Sequence, residues 1–472
     1  MDASRARLSG QFADDPQTRQ QLLEVLSRTY MALNRFDEAL PLGEQWLALA
    51  RSQHGPTDAP VLLAQLSLGQ INQIMGNHDA AIGLLEPLAV PLAQRFGPDS
   101  EEVRQQQFIL AADYMHSRRL ADAEAALARV RVLTDRLHPG DDYERADYLL
   151  NLGVLRRLQG RSAESLAVVR ETRPLWASPD PRLTLPVLVL RRHELFMMSQ
   201  NAEFDGMDAR VAPLVADVRR AMGPGNDFAL MTLSSWATAK QLQGLHMQEA
   251  TVRQQLLDSA RADGLAPESL LVFRAELLLA QARLGRPDVA ALQGLVAEAA
   301  AQRGGSRRSR SLLLLADAAL AADAPSLAAD AVARLRELPL PAALAAPGSK
   351  LDRTEGRLAR ANGQFARSLA LLSGVQDIGL IETWAGRLDV ALSAVLQGAP
   401  EADALLAAAR RARPPALPAG HPLDRVSQWL TARQSAGRDD TPNVRQAWTA
   451  LAEARGPGAP APTLGNLGGL LP

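Results

Sequence analysis

A period of 42 residues constrains this chain more than any single motif. Stepping by 42 from Ala39 lands on Ala81, Ala123 and Ser165, and from Ser27 on Gly69, Ala111 and Gly153. Residues this small let two helices approach closely at one crossing point. Leu26, Leu68, Leu110 and Leu152 stand beside them at the same interval. A turn position follows as Asn34, Gly76, Arg118, Gly160, Ala202 and Gly244, where Gly and Asn tolerate the left-handed conformation that ends a helix. Two residues further on come Phe36, His78, Leu120, Ser162, Phe204 and His246. Breaks at Gly55-Pro56, Gly97-Pro98, Pro139-Gly140, Pro181 and Gly223-Pro224 stop one helix and restart the next. Self-similarity at a fixed spacing of this size marks an array of helical hairpins.

The composition fits such an array. Hydrophobic residues make up 47% of the 472 but aromatics only 4%, a mix suited to close helix packing and poor in strand formers. The net charge of -1 provides no global field toward nucleic acid or anionic lipid. The absence of cysteine excludes disulfides, thiolate catalysis and cysteine-based zinc sites. No apolar run stands behind Met1–Arg7, and no window approaches the roughly 18 apolar residues of a membrane helix. The expectation is a soluble, cytoplasmic chain, or a periplasmic one if it belongs to a longer membrane-anchored protein.

The stretch Leu149-Leu150-Asn151-Leu152-Gly153, with Gly160 and Ser165, and the stretch Leu26-Ser27-Arg28-Thr29-Tyr30, with Asn34, Phe36 and Ala39, resemble the first helix and turn of tetratricopeptide repeats. The long period and the linkers His54-Gly55-Pro56 and His138-Pro139-Gly140 are similar to the kinesin-light-chain subclass. Arg156 and Ser165 depart from that pattern, where Tyr and Ala are expected. Residues 12 to 40 also look like the first repeat of the region that follows the kinase domain in bacterial serine/threonine protein kinases. The resemblance implies an all-α, right-handed superhelical solenoid of about nine or ten antiparallel helix pairs. Residues 1–15 read as a polar lead-in, 16–264 as regular repeats, 265–412 as degenerate repeats, 413–455 as C-terminal helices and 456–472 as a disordered Gly/Pro-rich tail.

Chemistry is sparse. None of the seven histidines has a second one four residues away, and His193-Glu194 lacks the partner a metal helix needs. The paired acids Glu101-Glu102 and Asp141-Asp142 precede first helices, where negative charge suits the helix N-terminus. Phosphate-binding loops and nucleophile elbows do not occur. Arg303, Arg307, Arg308 and Arg310 read as a solvated basic loop without interleaved aromatics. No cofactor, nucleic acid or enzymatic activity is expected.

What remains is the inner face of the array, lined by first helices. Its candidate residues are Arg28 and Met31 in repeat one, Leu66, Gln70 and Gln73 in repeat two, Phe108 and Met115 in repeat three, Leu150 and Arg157 in repeat four, and Arg192 and Phe196 in repeat five. Glu24, Leu63, Gln105 and Asp147 share that register. Soft apolar anchors with amide groups suit an extended peptide. The leading expectation is a non-enzymatic scaffold that holds a protein or peptide. The alternatives are a sensor array of a kinase or transcription regulator whose catalytic or DNA-binding domain lies elsewhere, and an enzyme within the divergent half after Gly264.

Overall fold

The computed structural model describes residues 15–33, 35–223, 226–302, 305–375, 379–437, 439 and 441–453. Asn34, Pro224, Arg303, the lead-in through residue 14 and the tail at 456–472 lie outside them. The described residues form α-helices and short 3₁₀ turns, with no strand among them, and no helix is long and apolar enough to cross a membrane. The chain divides into two compact units, one through Leu190 and one from Arg191.

The first unit is built from α1 (Pro16–Ala32), α2 (Phe36–Gln53), α3 (Ala59–Ile74), α4 (His78–Leu85), α5 (Ala89–Phe96), α6 (Glu101–His116), α7 (Leu120–Leu137), α8 (Asp142–Leu158) and α9 (Ser162–Glu171). Odd stops have local causes. Pro87 opens a 3₁₀ turn between α4 and α5, so the second helix of repeat two is broken. The buried Gln106 amide donates to the Leu85 carbonyl at that break, 2.7 Å away. Helix starts are capped as the paired acids suggested: Asp141 accepts from the Tyr143 and Glu144 amides at 2.9 and 3.4 Å, and Glu101 and Glu102 occupy the first turn of α6.

Each hairpin closes in the same way. The amide one residue past the turn position donates to the carbonyl five residues earlier, from Asn77 to Asn72, Arg119 to Tyr114, Arg161 to Arg156, Glu203 to Met198 and Leu245 to Lys240. This is the six-to-one bond of a left-handed helix stop. Gly76, Gly160 and Gly244 adopt φ of 80°, 75° and 73°, and Arg118 and Ala202 are held at 60° and 58°. Here the hairpin overrides the side chain's own preference, because keeping the turn satisfies the last carbonyls of the helix.

At the crossing point a side chain has no room. A Cβ on Gly69 would lie 2.5 Å from Leu85 Cδ2. Where serine stands at the crossing, its hydroxyl bonds across it: Ser165 Oγ donates to the Gly153 carbonyl at 2.7 Å, and Ser27 Oγ to the Ala39 carbonyl at 3.5 Å. Ser165 therefore departs from the expected Ala at no steric cost.

The second unit begins within α10 (Thr184–Gln200) and continues through α11 (Met207–Met222), α12 (Asp227–Leu242), α13 (His246–Ala262), α14 (Pro267–Arg283), α15 (Val289–Ala301), α16 (Gly305–Ala321), α17 (Pro325–Arg336), α18 (Ala342–Ala345), α19 (Lys350–Ala361), α20 (Phe365–Leu372), α21 (Leu380–Gln397), α22 (Ala402–Arg411), α23 (Pro422–Ala436) and α24 (Pro442–Glu453). The turn bond continues from Arg286 to Gln281, Ala324 to Ala319 and Gln364 to Ala359, so the hairpin survives while its spacing contracts. Gly356 repeats the tight crossing, its Cβ position 2.7 Å from Leu372 Cγ.

One expectation fails in this unit. From Gly305 onward the basic stretch is not a loop: α16 starts there, and Arg310 pairs with Glu276 at 3.2 Å. Contacts in this unit also reach beyond sequential neighbours. The C-terminal helices return to repeats five and six, joining Trp384, Leu388, Leu423, Val426 and Trp429 to Ala202 and Leu242 in one core, with Phe204 against it. The apolar faces of α21 and α23 need cover, and the turn edge of repeats five and six supplies it. Phe204 is drawn into that core, and α11 starts late, at Met207.

His421 fastens this return. Its Nε2–H donates to the Leu242 carbonyl at 2.9 Å, and its Nδ1 accepts from the Leu423 amide at 3.2 Å. Those partners require the neutral imidazole. Burial pushes its pKa below the ordinary value.

Two predictions follow from this packing. Gly69→Ala should destabilise the protein by about 1–3 kcal/mol through overpacking, read as a lowered urea midpoint. For His421, the unfolded chain takes up a proton at a higher pH than the folded chain does. Stability is therefore full above pH 6.5 or so and is lost as pH falls below it. His421→Asn, which keeps a cap, should lose less stability than the parent between pH 7.5 and 5.5 in the same assay.

Candidate functional site

Helical spacing brings the inner-face residues of the first repeats together. Glu24, Arg28 and Met31 lie on one face of α1, and Leu63, Leu66, Gln70 and Ile74 on one face of α3, at intervals of three and four. With Gln105 of α6 they line a cleft of about 370 Å³. Four of the eleven candidates expected from the sequence, Arg28, Met31, Leu66 and Gln70, meet here, as do Glu24, Leu63 and Gln105. The sequence reading missed Ala32, Phe36, Trp46, Ser67 and Ile74, which also line the cleft. Phe36 and Trp46 come from α2, a second helix, and a rule confined to first helices could not find them.

The cleft is apolar at its base and amide-rimmed. Leu66, 5% exposed, packs into the core below it, while Ile74 is 45% exposed. Ser67 Oγ donates to Met31 Sδ at 3.8 Å. Among the described residues the formal charges lining it are Arg28 and Glu24, paired with each other at 3.1 Å on the exposed rim.

The remaining candidates lie apart from this cleft. Met115, 4% exposed, is a core residue beside Leu110 and Leu127, unavailable to a ligand. Gln73 and Phe108 are half-buried but do not line the cleft. Leu150 packs against Leu175, Leu183 and Val187. Burial and the nearby Arg118 guanidinium push the pKa of Arg157 below its ordinary value. In the second unit, the Arg192 guanidinium lies 4.9 Å over the Phe228 ring, burial lowers its pKa, and Phe196 is half-buried.

Beyond the cleft the first unit carries charge. Arg104 bonds Glu101 at 2.6 Å and Glu144 at 2.8 Å. Burial opposes ionisation of Glu101, but hydrogen bonds from Arg104 and His138 outweigh it and hold the carboxyl at about 2. Asp147 behaves oppositely: burial, then the Glu144 carboxylate, raise it to about 6 against the pull of Arg104. Among the described residues no group of three or more His, Asp or Glu is arranged to hold a metal ion.

Asp147 sets a testable pH dependence. The folded chain holds its proton to higher pH than the unfolded chain, so the stability it contributes is present near pH 4 and lost as pH rises to about 6. Asp147→Asn should leave stability unchanged at pH 4 and raise it by on the order of 1–2 kcal/mol at pH 7.5, measured by urea unfolding at both values.

Antiparallel helix pairs closed by one recurring left-handed turn define a helical-hairpin repeat protein. The family model of the tetratricopeptide repeat matches residues 19–86, which contain nearly the whole cleft. Two solved structures of nearly identical TPR-like repeats from Podosopora anserina, both named for kinesin light chain, are similar over 43% of this chain and 96% and 97% of theirs, each at 17% identity and a TM-score of 0.35. No curated protein matches the chain.

Proposed function

We propose that the first unit is a scaffold that holds an extended segment of a partner protein in the cleft between α1, α3 and α6, without chemistry of its own. Tetratricopeptide repeats suggest protein interaction in general, and the family match covers residues 19–86. The observation that carries the finer reading is that Met31, Leu63, Leu66 and Ile74 line one open cleft together with Gln70 and Gln105. Apolar side chains there remove a ligand's side chains from water, and the amides answer its backbone. A role in bacterial signalling rests only on the resemblance of residues 12 to 40.

Met31 is half-buried and Ile74 exposed, so both accept charge without unfolding the chain. Cross-linking mass spectrometry on full-chain captures from source-cell lysate should concentrate partner cross-links on α1 and α3. The Met31→Glu/Ile74→Glu double variant, with unchanged circular dichroism, should lose at least about nine-tenths of them. An undiminished cross-link pattern in the double variant would sink the proposal.

A further inference from the structure

A cavity of about 510 Å³ opens in the second unit, between α19, the end of α20, α21 and α22. Its volume falls in the range of small-molecule sites, roughly 300–1,000 Å³. Val375, Val390 and Leu405, all half-buried, give it an apolar wall together with Leu372 and Ala408. Arg353 and Arg387 add two guanidinium groups, and Asp389 one carboxylate.

That carboxylate is already engaged. Arg357 Nε pairs with it at 2.6 Å and Arg360 Nη2 at 2.5 Å, and both arginines are more than nine-tenths buried. The other acids of these four helices serve different groups. Asp352 accepts from the Gly348 amide at 2.7 Å, Glu355 pairs with Arg336 at 2.8 Å, Glu382 lies against Gly379, and Asp403 accepts from Gln434 at 3.0 Å. Four guanidinium groups of the cavity and its surroundings therefore stand against the one carboxylate of Asp389. Arg387 is exposed and makes no hydrogen bond or ion pair among the described residues. A cleft dominated by one sign of charge concentrates ligands of the other. Ser373 already donates to the Leu369 carbonyl at 2.7 Å, which leaves the forked guanidinium groups as the main donors, and such a fork matches the two oxygens of a carboxylate.

We propose that this cavity binds a small amphiphilic carboxylate, with its charged end on Arg387 and Arg353 and its hydrocarbon tail against Val375, Val390 and Leu405. The guanidinium N–H groups donate and the carboxylate oxygens accept. Burial of the tail adds affinity in proportion to the apolar area removed from water. An ammonium at the same place would meet like charge, and a neutral alcohol would forgo the charge-assisted hydrogen bonds. The site lies wholly in the second unit and is independent of the cleft in the first.

Calorimetric titration of the full chain with hexanoate tests this, beside hexylamine, 1-hexanol, acetate and inorganic phosphate. Hexanoate should bind with a Kd below about 1 mM. Hexylamine and 1-hexanol should bind at least about tenfold more weakly for want of the carboxylate, and acetate at least about tenfold more weakly for want of the tail. Arg387→Gln, at an exposed position, should keep the circular dichroism and urea midpoint of the parent and weaken hexanoate binding at least about tenfold. Arg387→Lys, which keeps the charge and loses the fork, should fall between the two. Arg353→Gln provides a second variant should the first fold poorly. No binding of hexanoate, or unchanged affinity in a folded Arg387→Gln or Arg353→Gln chain, overturns the site. Hexylamine or 1-hexanol binding as tightly as hexanoate overturns the anionic ligand, and acetate or phosphate doing so overturns the amphiphilic one. None of these outcomes bears on the cleft of the first unit, which the Met31→Glu/Ile74→Glu cross-links decide.

Discussion

Two helices cross at the narrow point of this repeat only if one of them lacks bulk there. Gly69 gives up its side chain to Leu85, and Gly356 does the same for Leu372 far along the chain. That close approach sets the angle between the helices of a pair, and the left-handed turn sets their direction. The turn is strong enough to hold Arg118 and Ala202 at positive φ, a strain of roughly 1–2 kcal/mol for a residue with a Cβ. The strain is tolerated because the alternative leaves the last carbonyls of a helix unsatisfied. The rest of each unit, including the placement of α1 beside α3, follows from this repeated geometry.

The second unit uses the same hairpin to a different end. Its interior carries ion pairs: Arg283 with Glu249 at 3.0 Å, Arg253 with Glu276 at 2.7 Å, and Arg357 and Arg360 with Asp389 at 2.6 and 2.5 Å. Burial opposes ionisation of Asp389, yet the two arginines hold its carboxyl below the ordinary value. Buried pairs like these add little net stability, but removing one partner strands the other charge at about 3–5 kcal/mol. They tie α13, α14, α19 and α21 to particular neighbours where Ala- and Leu-rich surfaces alone would allow sliding. The C-terminal return onto Leu242 and Ala202 adds contacts far apart in sequence to that arrangement. The two units thus contrast in chemistry, an open neutral cleft in one and a charge-filled interior in the other.

Much of the fold could be read from residue spacing, because small residues and turn glycines serve the backbone, and the backbone repeats. The period identified hairpins from Ser27 to Gly244, and their turn bonds continue through Gln364 with the interval contracted. The candidate site was less accessible. Arg28, Met31, Leu66 and Gln70 were found by helical register. Met115 shares that register and is nonetheless core, since a one-position rotation of α6 decides which side a residue faces. Phe36 and Trp46 escaped because their reach depends on the gap between two other helices. The basic stretch looked like a loop because its charges suggested solvent, but an exposed charge such as Arg310 sits as readily on the outer face of a helix, here α16.

Residue spacing along the chain fixes the unit of construction: a helix, a left-handed stop, a second helix and a crossing with little side chain. Those are local demands, met within a few dozen residues. Where apolar side chains from three helices leave an open cleft, and where His421 meets a carbonyl 179 residues away, emerges only when the helices pack. Such features depend on how whole helices settle against one another, and small shifts in that packing leave no trace in the spacing of residues along the chain.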